Sequence, residues 1–597
     1  MTPSVLQTSA HSAEARLHAV DPRTPATPRI AYFSMEIALD AALPTYSGGL
    51  GILAGDILRS AADLALPIIG VSLMYHDGYF VQRLDHGGNQ SESADAWDPR
   101  ARLSPVDKAV SVTIEGREVR VRAWRFDLVG ATGAIVPVYL LDTDVEGNEA
   151  QDRALSGALY GGDHRYRLCQ EAVLGYGGYA FVEALGFADT IGTFHMNEGH
   201  SALLVPAALE ARAAARGSGE IAAEDIAATR KRFVFTTHTP VPAGHDRFDL
   251  GLTRAVLGEA RTRLIGQLCG SREDHINMTQ LALRGSHFVN GVAMRHGEIS
   301  RALFPGDVIW AITNGVHAER WTSPAFASLF DRHVPAWRSD NAYLRHAVGI
   351  PLEDVQAAHR AAKDDLANEV RRRTGVALDT SRFTIGFARR AAEYKRGYLP
   401  FWDLERLLEI AATAGPLQFI FAGKAHPRDA GGKTVITRIF DAAHKLGNAV
   451  RVVYLENYEM ALAQRLVAGV DLWLNTPRPP LEASGTSGMK AAFNGVPSLS
   501  TLDGWWVEGC VEGRTGWSIG EGSTLVHGEI EDAADAAILY DKLEREIVPL
   551  YYGDPEGYAR VMRGAIAINA SYFNTHRTVE QYVRSAYLLG GASEKRS

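Results

Sequence analysis

The feature that most constrains the fold of this chain is an alternation sustained along its length. Short apolar bursts, residues 29–33 (RIAYF), 233–236 (FVFT), 383–387 (FTIGF), 418–421 (QFIF), 450–454 (VRVVY) and 471–474 (DLWL), are separated by Ala/Leu/Arg-rich stretches of helical character. Strands that are apolar on both faces and alternate with helices belong to parallel sheets covered on both sides. At 597 residues the chain exceeds one ordinary core, so two or more such units are expected. Open parallel sheets bind ligands beyond the carboxyl ends of their strands, and with two units the ligand lies in the cleft between them. The fold class expected is therefore α/β with a deep cleft.

Composition excludes more than it identifies. With 46% hydrophobic and 22% charged residues the chain reads as a globular protein. A formal net charge of −9 argues against a nucleic-acid surface. Cys169, Cys269 and Cys510 are scattered, which indicates neither a disulfide framework nor a metal site and fits a reducing cytoplasm. Residues 1–28 have no apolar core for a signal peptide and read as a mobile tail. The apolar run at 64–74 is broken by Pro67 and is well short of the ~20 residues a membrane helix needs, so no membrane partner is expected.

The strongest chemical signal is residues 481–495, LEASGTSGMKAAFNG. Ser484 to Gly488 have little bulk and can expose successive amides, and 489–493 reads as a helix that Asn494-Gly495 stops. The small residues then lie at a helix N-terminus, where free amides and the dipole favour phosphate. With Thr486 as N-cap, Lys490 stands one turn in on the same face. A lysine so placed can bond covalently to a ligand whose phosphate rests on the amides, the geometry a pyridoxal phosphate Schiff base needs. Taken alone, such a turn is more often only a turn.

Further motifs fall in loops after apolar runs. Gly48, Gly49 and Gly51 precede a helical pattern and let backbone approach an anion. His195 and His200 lie in 194–200 (FHMNEGH) and His238 in 236–240 (TTHTP), with no compact metal spacing, so no metal is expected. An Asn-Gly pair is ordinarily a turn, and Asn290-Gly291 reads as one, while Asn314-Gly315 is kept as a candidate site segment. Arg389, Arg390, Lys395 and Arg396 crowd one loop after a buried strand, which makes sense if two phosphates must sit close together.

Jointly, 33–36 with 48–51, 236–239, 313–316, 388–396, 455–458, 482–495 and 501–504 resemble segments of the α-glucan (glycogen, maltodextrin or starch) phosphorylases, in the right order from about residue 29 to 589. The resemblance implies two Rossmann-like domains facing the cleft, the GT-B glycosyltransferase architecture. Residues 29–315 would be the first domain, 316–577 the second, cofactor-binding one, and 578–597 a helix crossing back. The implied reaction is phosphorolysis of terminal α-1,4-linked glucose to α-glucose 1-phosphate, with pyridoxal 5'-phosphate as cofactor. Lys490 would carry the cofactor, with Thr486, Ser487, Arg389 and Tyr458 at its phosphate. Gly49, beside Gly48, would hold the substrate phosphate with Arg390 and Lys395. Glu482, Ser484, Gly485, Tyr394, His238 and Asn314 would grip sugar hydroxyls, Asn314 at O6, with His200 behind the glucose.

The sequence departs from the family pattern where Arg389 replaces lysine, where Ala392 replaces histidine, and at Trp505-Trp506. Residues 574–582 read as the crossing helix, with Thr578 and Gln581 at capping-box spacing and Tyr582 and Leu588 on its buried side. The family further implies a homodimer, and no match appears to the control regions of the long vertebrate enzymes. Three rival readings remain: a nucleotide-sugar-dependent GT-B glucosyltransferase of the glycogen-synthase kind, a pyridoxal aminotransferase, and a silent glucan-binding protein.

Overall fold

The structure is a computed structural model that describes residues 27–241, 244–270, 274–520 and 529–588. The expected N-terminal tail lies outside them except for its last two residues, as do residues 589–597.

Among the described residues, two large sheets organise the chain. Nine strands form the first, in the order Trp310–Ala311, Phe288–Gly291, Phe233–Thr236, Thr193–Asn197, Ile30–Phe33, Ile68–Leu73, Ile135–Asp142, Arg117–Val129 and Ser104–Ile114. Neighbours are parallel as far as Ile135–Asp142. The last three strands are antiparallel to one another, which corrects the expectation of parallel sheets alone. Arg117–Val129 alternates covered and solvated side chains, and a strand with one wet face suits an antiparallel edge.

The second sheet is wholly parallel: Arg451–Leu455, Leu417–Ala422, Phe383–Ala388, Leu472–Asn475, Ser498–Thr501 and Gly516–Ile519. Phe383–Ala388 and Leu417–Ala422 are buried at every position, as near-continuous apolar runs between helix layers must be. The strand order reverses between Phe383–Ala388 and Leu472–Asn475, and in the first sheet between Ile30–Phe33 and Thr193–Asn197. Such switch points open a crevice at the carboxyl ends of the strands. Arg389 to Lys395 and Glu482 follow the pair in the second sheet; Glu36, Glu198 and His200 follow the pair in the first sheet.

A helix over Thr575–Tyr582 returns the chain from the second sheet to the first. Its Thr575 hydroxyl lies 2.6 Å from that of Ser60, and Asn290 Nδ2 donates to the Tyr582 hydroxyl at 3.1 Å. The N-cap is Asn574, whose side chain accepts from the Arg577 amide at 2.9 Å. Thr578 is internal, with its hydroxyl turned back to the Asn574 carbonyl, so the capping-box reading was misplaced by one turn. Tyr582 is buried as expected, whereas Leu588 is 64% exposed. Asn290-Gly291 closes a strand and forms no turn, because Asn290 is buried against Thr236 and Tyr582. No helix among the described residues is long and apolar enough to cross a membrane.

Candidate active site

The Lys490 segment folds locally as its residues dictate. A helix spans Ser487–Ala492 with Thr486 at the N-cap position, and the Lys490 amide donates to the Thr486 carbonyl at 3.2 Å. The Thr486 side chain makes no capping bond. Ser487 Oγ accepts from Trp473 Nε1 at 3.0 Å and reaches Asn475 Oδ1 at 3.3 Å, so that hydroxyl already has partners in the protein. Gly488 is required by space: a Cβ there would lie 2.8 Å from Trp505 Cζ2 and 2.9 Å from Ser498 Oγ. Gly485 adopts φ +81°, which favours glycine. Trp505 and Trp506 are both buried, and Trp505 backs this helix at Gly488.

Lys490 is buried, with Nζ 4.1 Å from the centre of the Trp321 ring. Burial lowers its amine to about 8; the Asp56 carboxylate opposes that effect, while Arg320 and Arg389 add to it. An amine held near 8 is about one-tenth neutral at pH 7, far more than an ordinary lysine, and the neutral form is the nucleophilic one.

The four cations of residues 389–396 separate into three environments. Arg389 Nη2 donates to Glu482 Oε2 at 2.6 Å, and Lys395 Nζ bonds the same oxygen. Burial acts to raise the Glu482 carboxyl, but Arg389 and Lys395 hold it at about 2. Both hydrogen bonds fall on Oε2, leaving Oε1 as an acceptor, and Arg389 Nη1 is buried without a partner among the described residues. Arg390 is open to solvent; burial opposes its charge, yet the phenols of Tyr394, Tyr79 and Tyr160 raise its pKa. Arg396 is structural: its guanidinium is fully buried against Asp532 at 3.0 Å and Asp535 at 2.6 Å. Lys395 Nζ also stands 4.4 Å from the Tyr394 ring, whose hydroxyl is lowered by that charge against the effect of burial. Ala392 is buried beside a small void shared with Arg389 and Lys395.

Asp503 was not singled out by sequence. Its Oδ2 accepts the Glu482 amide at 2.8 Å and its Oδ1 the Gly504 amide at 2.9 Å. Burial and then the neighbouring Glu482 charge push its carboxyl up to about 7, against those two N–H donors. Tyr458 lies near Tyr46 and Arg389, and burial raises its hydroxyl.

On the first sheet, Glu36 is the residue sequence reasoning quoted only as part of a motif. Its Oε2 accepts the Ser47 amide at 2.6 Å and the Gly48 amide at 3.3 Å, and its Oε1 accepts the Tyr160 hydroxyl at 2.9 Å. The Gly48 amide is thus engaged, while Gly49 opens the helix Gly49–Asp63, where first-turn amides have no partner inside the helix. His238 Nε2 stands 2.6 Å from Asn197 Oδ1, its amide donates to Glu198 Oε2 at 2.7 Å, and burial lowers the imidazole to about 3. His200 is also held neutral by burial, and its Nε2 accepts the Met35 amide at 2.8 Å, so that nitrogen serves the fold. Asn314 Oδ1 and Ser484 Oγ are buried without partners among the described residues. In that set, no group of side chains could hold a metal ion.

These observations fit pyridoxal phosphate. A buried amine, the uncommitted Thr486 hydroxyl, the orphaned Arg389 Nη1 and a glycine with no room for a Cβ converge on one short helix N-terminus. Two sheets that each present a switch point, with cations gathered at one of them, define a GT-B type enzyme built to handle anions. The chain belongs to the carbohydrate phosphorylase family, whose sequence profile matches residues 35–151 and 247–516. It is 38% identical to the maltodextrin phosphorylase of Thermococcus litoralis over 94% of this chain and 70% of that protein. It is 36% identical to the glycogen phosphorylase of Mycobacterium tuberculosis over 95% of the chain and 72% of the relative, and 35% identical to that of Aquifex aeolicus over 94% and 86%.

Proposed function

We propose that this chain is an α-1,4-glucan phosphorylase that transfers the terminal glucose of glycogen or maltodextrin to orthophosphate, giving α-glucose 1-phosphate with retention. The observation that carries the reading is the placement of Arg389 and Lys395 on one oxygen of Glu482, with Arg390 open beside them. Two cations on one carboxylate, with a third open nearby, leave a net positive site that phosphate groups would neutralise.

Lys490 would carry pyridoxal 5'-phosphate, with Thr486, Ser487, Arg389 and Tyr458 around the phosphate of that group. Bound there, the cofactor supplies a phosphate as proton partner to the substrate phosphate. Arg390, Lys395 and the Gly49 amide hold the substrate phosphate and stabilise the charge that develops as the glycosidic bond breaks. Glu482 stays ionised across the working pH range, and its Oε1 accepts from sugar hydroxyls. His238 stays neutral and is oriented by Asn197 and Glu198. Asn314, Ser484, Gly485 and Tyr394 complete the sugar site, with His200 and Gly48 supporting it from behind. Residues 29–315 and 316–577 act as the two domains, tied together by the C-terminal helix. The protein works in the cytoplasm as a homodimer. A nucleotide-sugar-dependent transferase would have no use for the buried Lys490 amine.

The test is to incubate the purified chain, loaded with pyridoxal phosphate, with maltodextrin and orthophosphate and to assay glucose 1-phosphate. Product that requires both phosphate and cofactor is expected. A cofactor-loaded protein that forms none would overturn the proposal.

A further inference from the structure

The Asn314 main chain is held by a residue more than two hundred and fifty positions later: Arg577 Nη2 donates to the Asn314 backbone carbonyl at 3.0 Å, |i−j| = 263. Arg577 Nη1 donates to the preceding carbonyl, of Thr313, at 2.6 Å and to Gln581 Oε1 at 2.9 Å, and Nε donates to the Tyr572 carbonyl at 3.0 Å. Each of these acceptors is neutral, and the guanidinium also stacks 4.7 Å from the Tyr572 ring. A planar fork meets two successive carbonyls with donors fixed in direction, whereas a lysine ammonium is a single point charge on a flexible stem.

The rest of the segment is fixed from other sides. Thr313 Oγ1 donates to Glu508 Oε2 at 2.7 Å, and Glu508 Oε1 accepts the Met294 amide at 2.9 Å. The Asn314 amide donates to the Val292 carbonyl at 3.0 Å, and a Cβ on Gly315 would fall inside the Asn574 backbone. The side chain's acceptor, Asn314 Oδ1, is buried without a partner among the described residues. A buried acceptor left open on a fully clamped backbone is arranged to receive a donor from a ligand.

We infer that Arg577 is a positioning residue for the sugar site: by holding the Thr313 and Asn314 carbonyls, it sets where Asn314 meets a glucose hydroxyl. This inference rests on the reading above that Asn314 grips glucose at O6. Through Arg577 the crossing helix would contribute to substrate discrimination as well as joining the two halves.

The test compares kcat/KM for glucose 1-phosphate and 6-deoxyglucose 1-phosphate in the glucan-lengthening direction, using cofactor-loaded protein. The variants are Asn314→Ala, Arg577→Met, Arg577→Lys and the double variant Asn314→Ala/Arg577→Met. Melting temperature and the absorbance of bound pyridoxal confirm that each is folded and loaded. Asn314→Ala is expected to cut the preference for the 6-hydroxyl by about tenfold. Arg577→Met should cut it by at least about threefold and Arg577→Lys by less, and the double variant should lose no more than Asn314→Ala alone. If Asn314→Ala collapses the preference while Arg577→Met slows both substrates equally, the inference fails and the reading of Asn314 stands. If Asn314→Ala leaves the preference intact, both fail. Should Arg577→Met not fold, the same comparison on Arg577→Lys decides.

Discussion

Replacing Glu482 by Gln tests whether the cations it pins are the ones phosphate uses. In the parent chain Arg389 Nη2 lies 2.6 Å from Glu482 Oε2, an attraction of about 6 kcal/mol at an effective dielectric near 20, partly offset by the cost of drying both groups. Glutamine keeps the size and removes the charge, leaving two buried cations uncompensated, which costs about 3–5 kcal/mol in the ligand-free protein. The same change removes an anion that repels incoming phosphate. A unit charge roughly 5 Å from a phosphate charge contributes about 3 kcal/mol at that dielectric. Orthophosphate should therefore bind Glu482→Gln at least about tenfold more tightly than the parent and stabilise it more against heat. Turnover should fall at least about a hundredfold, because a charged acceptor for sugar hydroxyls is gone. Calorimetric titration of orthophosphate into both cofactor-loaded proteins, with melting curves at matched phosphate, measures each quantity. Unchanged or weaker phosphate binding in a folded Glu482→Gln would refute the assignment of Arg389 and Lys395 to phosphate.

Other changes probe the remaining groups. Lys490→Ala should leave circular dichroism intact and abolish both pyridoxal absorbance and activity; in the parent, cofactor uptake should slow about tenfold per pH unit below the amine's value of about 8 and level off above it. Arg390→Ala should raise the KM for orthophosphate at least about tenfold with little effect on melting, whereas Arg396→Met, which strands Asp532 and Asp535, should cost about 3–5 kcal/mol of stability. Steady-state kinetics and chemical denaturation separate these two arginines. Asp503, raised from 3.8 to about 7, holds a proton in the folded chain that the unfolded chain releases, so its contribution to stability declines as pH rises from about 4 to about 7, by at most about 4 kcal/mol. Denaturation across that interval should show a shallower decline in Asp503→Asn, and an identical slope would remove Asp503 from the account.

The parts of the site that were legible in the sequence are those whose chemistry is local. Lys490 stands at a fixed offset from a run of small residues, and helix periodicity alone puts it over the turn. The strand bursts were legible for the same reason, since burial on both faces leaves an apolar run that needs no partner to be recognised. The antiparallel edge carries no such run, because Arg117–Val129 alternates covered and solvated residues instead.

What stayed hidden depends on residues far away in the chain. Lys395 and Arg396 are adjacent and chemically alike, yet one faces Glu482 in the site while the other is sealed against Asp532, |i−j| = 136. Nothing within a helical turn distinguishes them; the partner does. Glu36 and Asp503 organise backbone amides of the Gly48 turn and the Glu482 loop, a role any acid near a strand end could fill, so their signal exists only once the strands are placed side by side. Arg577 extends the pattern, because its acceptors are backbone carbonyls and carry no residue identity that a sequence could display. Positioning groups of this kind are therefore under-represented in motif reading for a physical reason: their partners are main-chain atoms, and only the fold decides which main chain arrives.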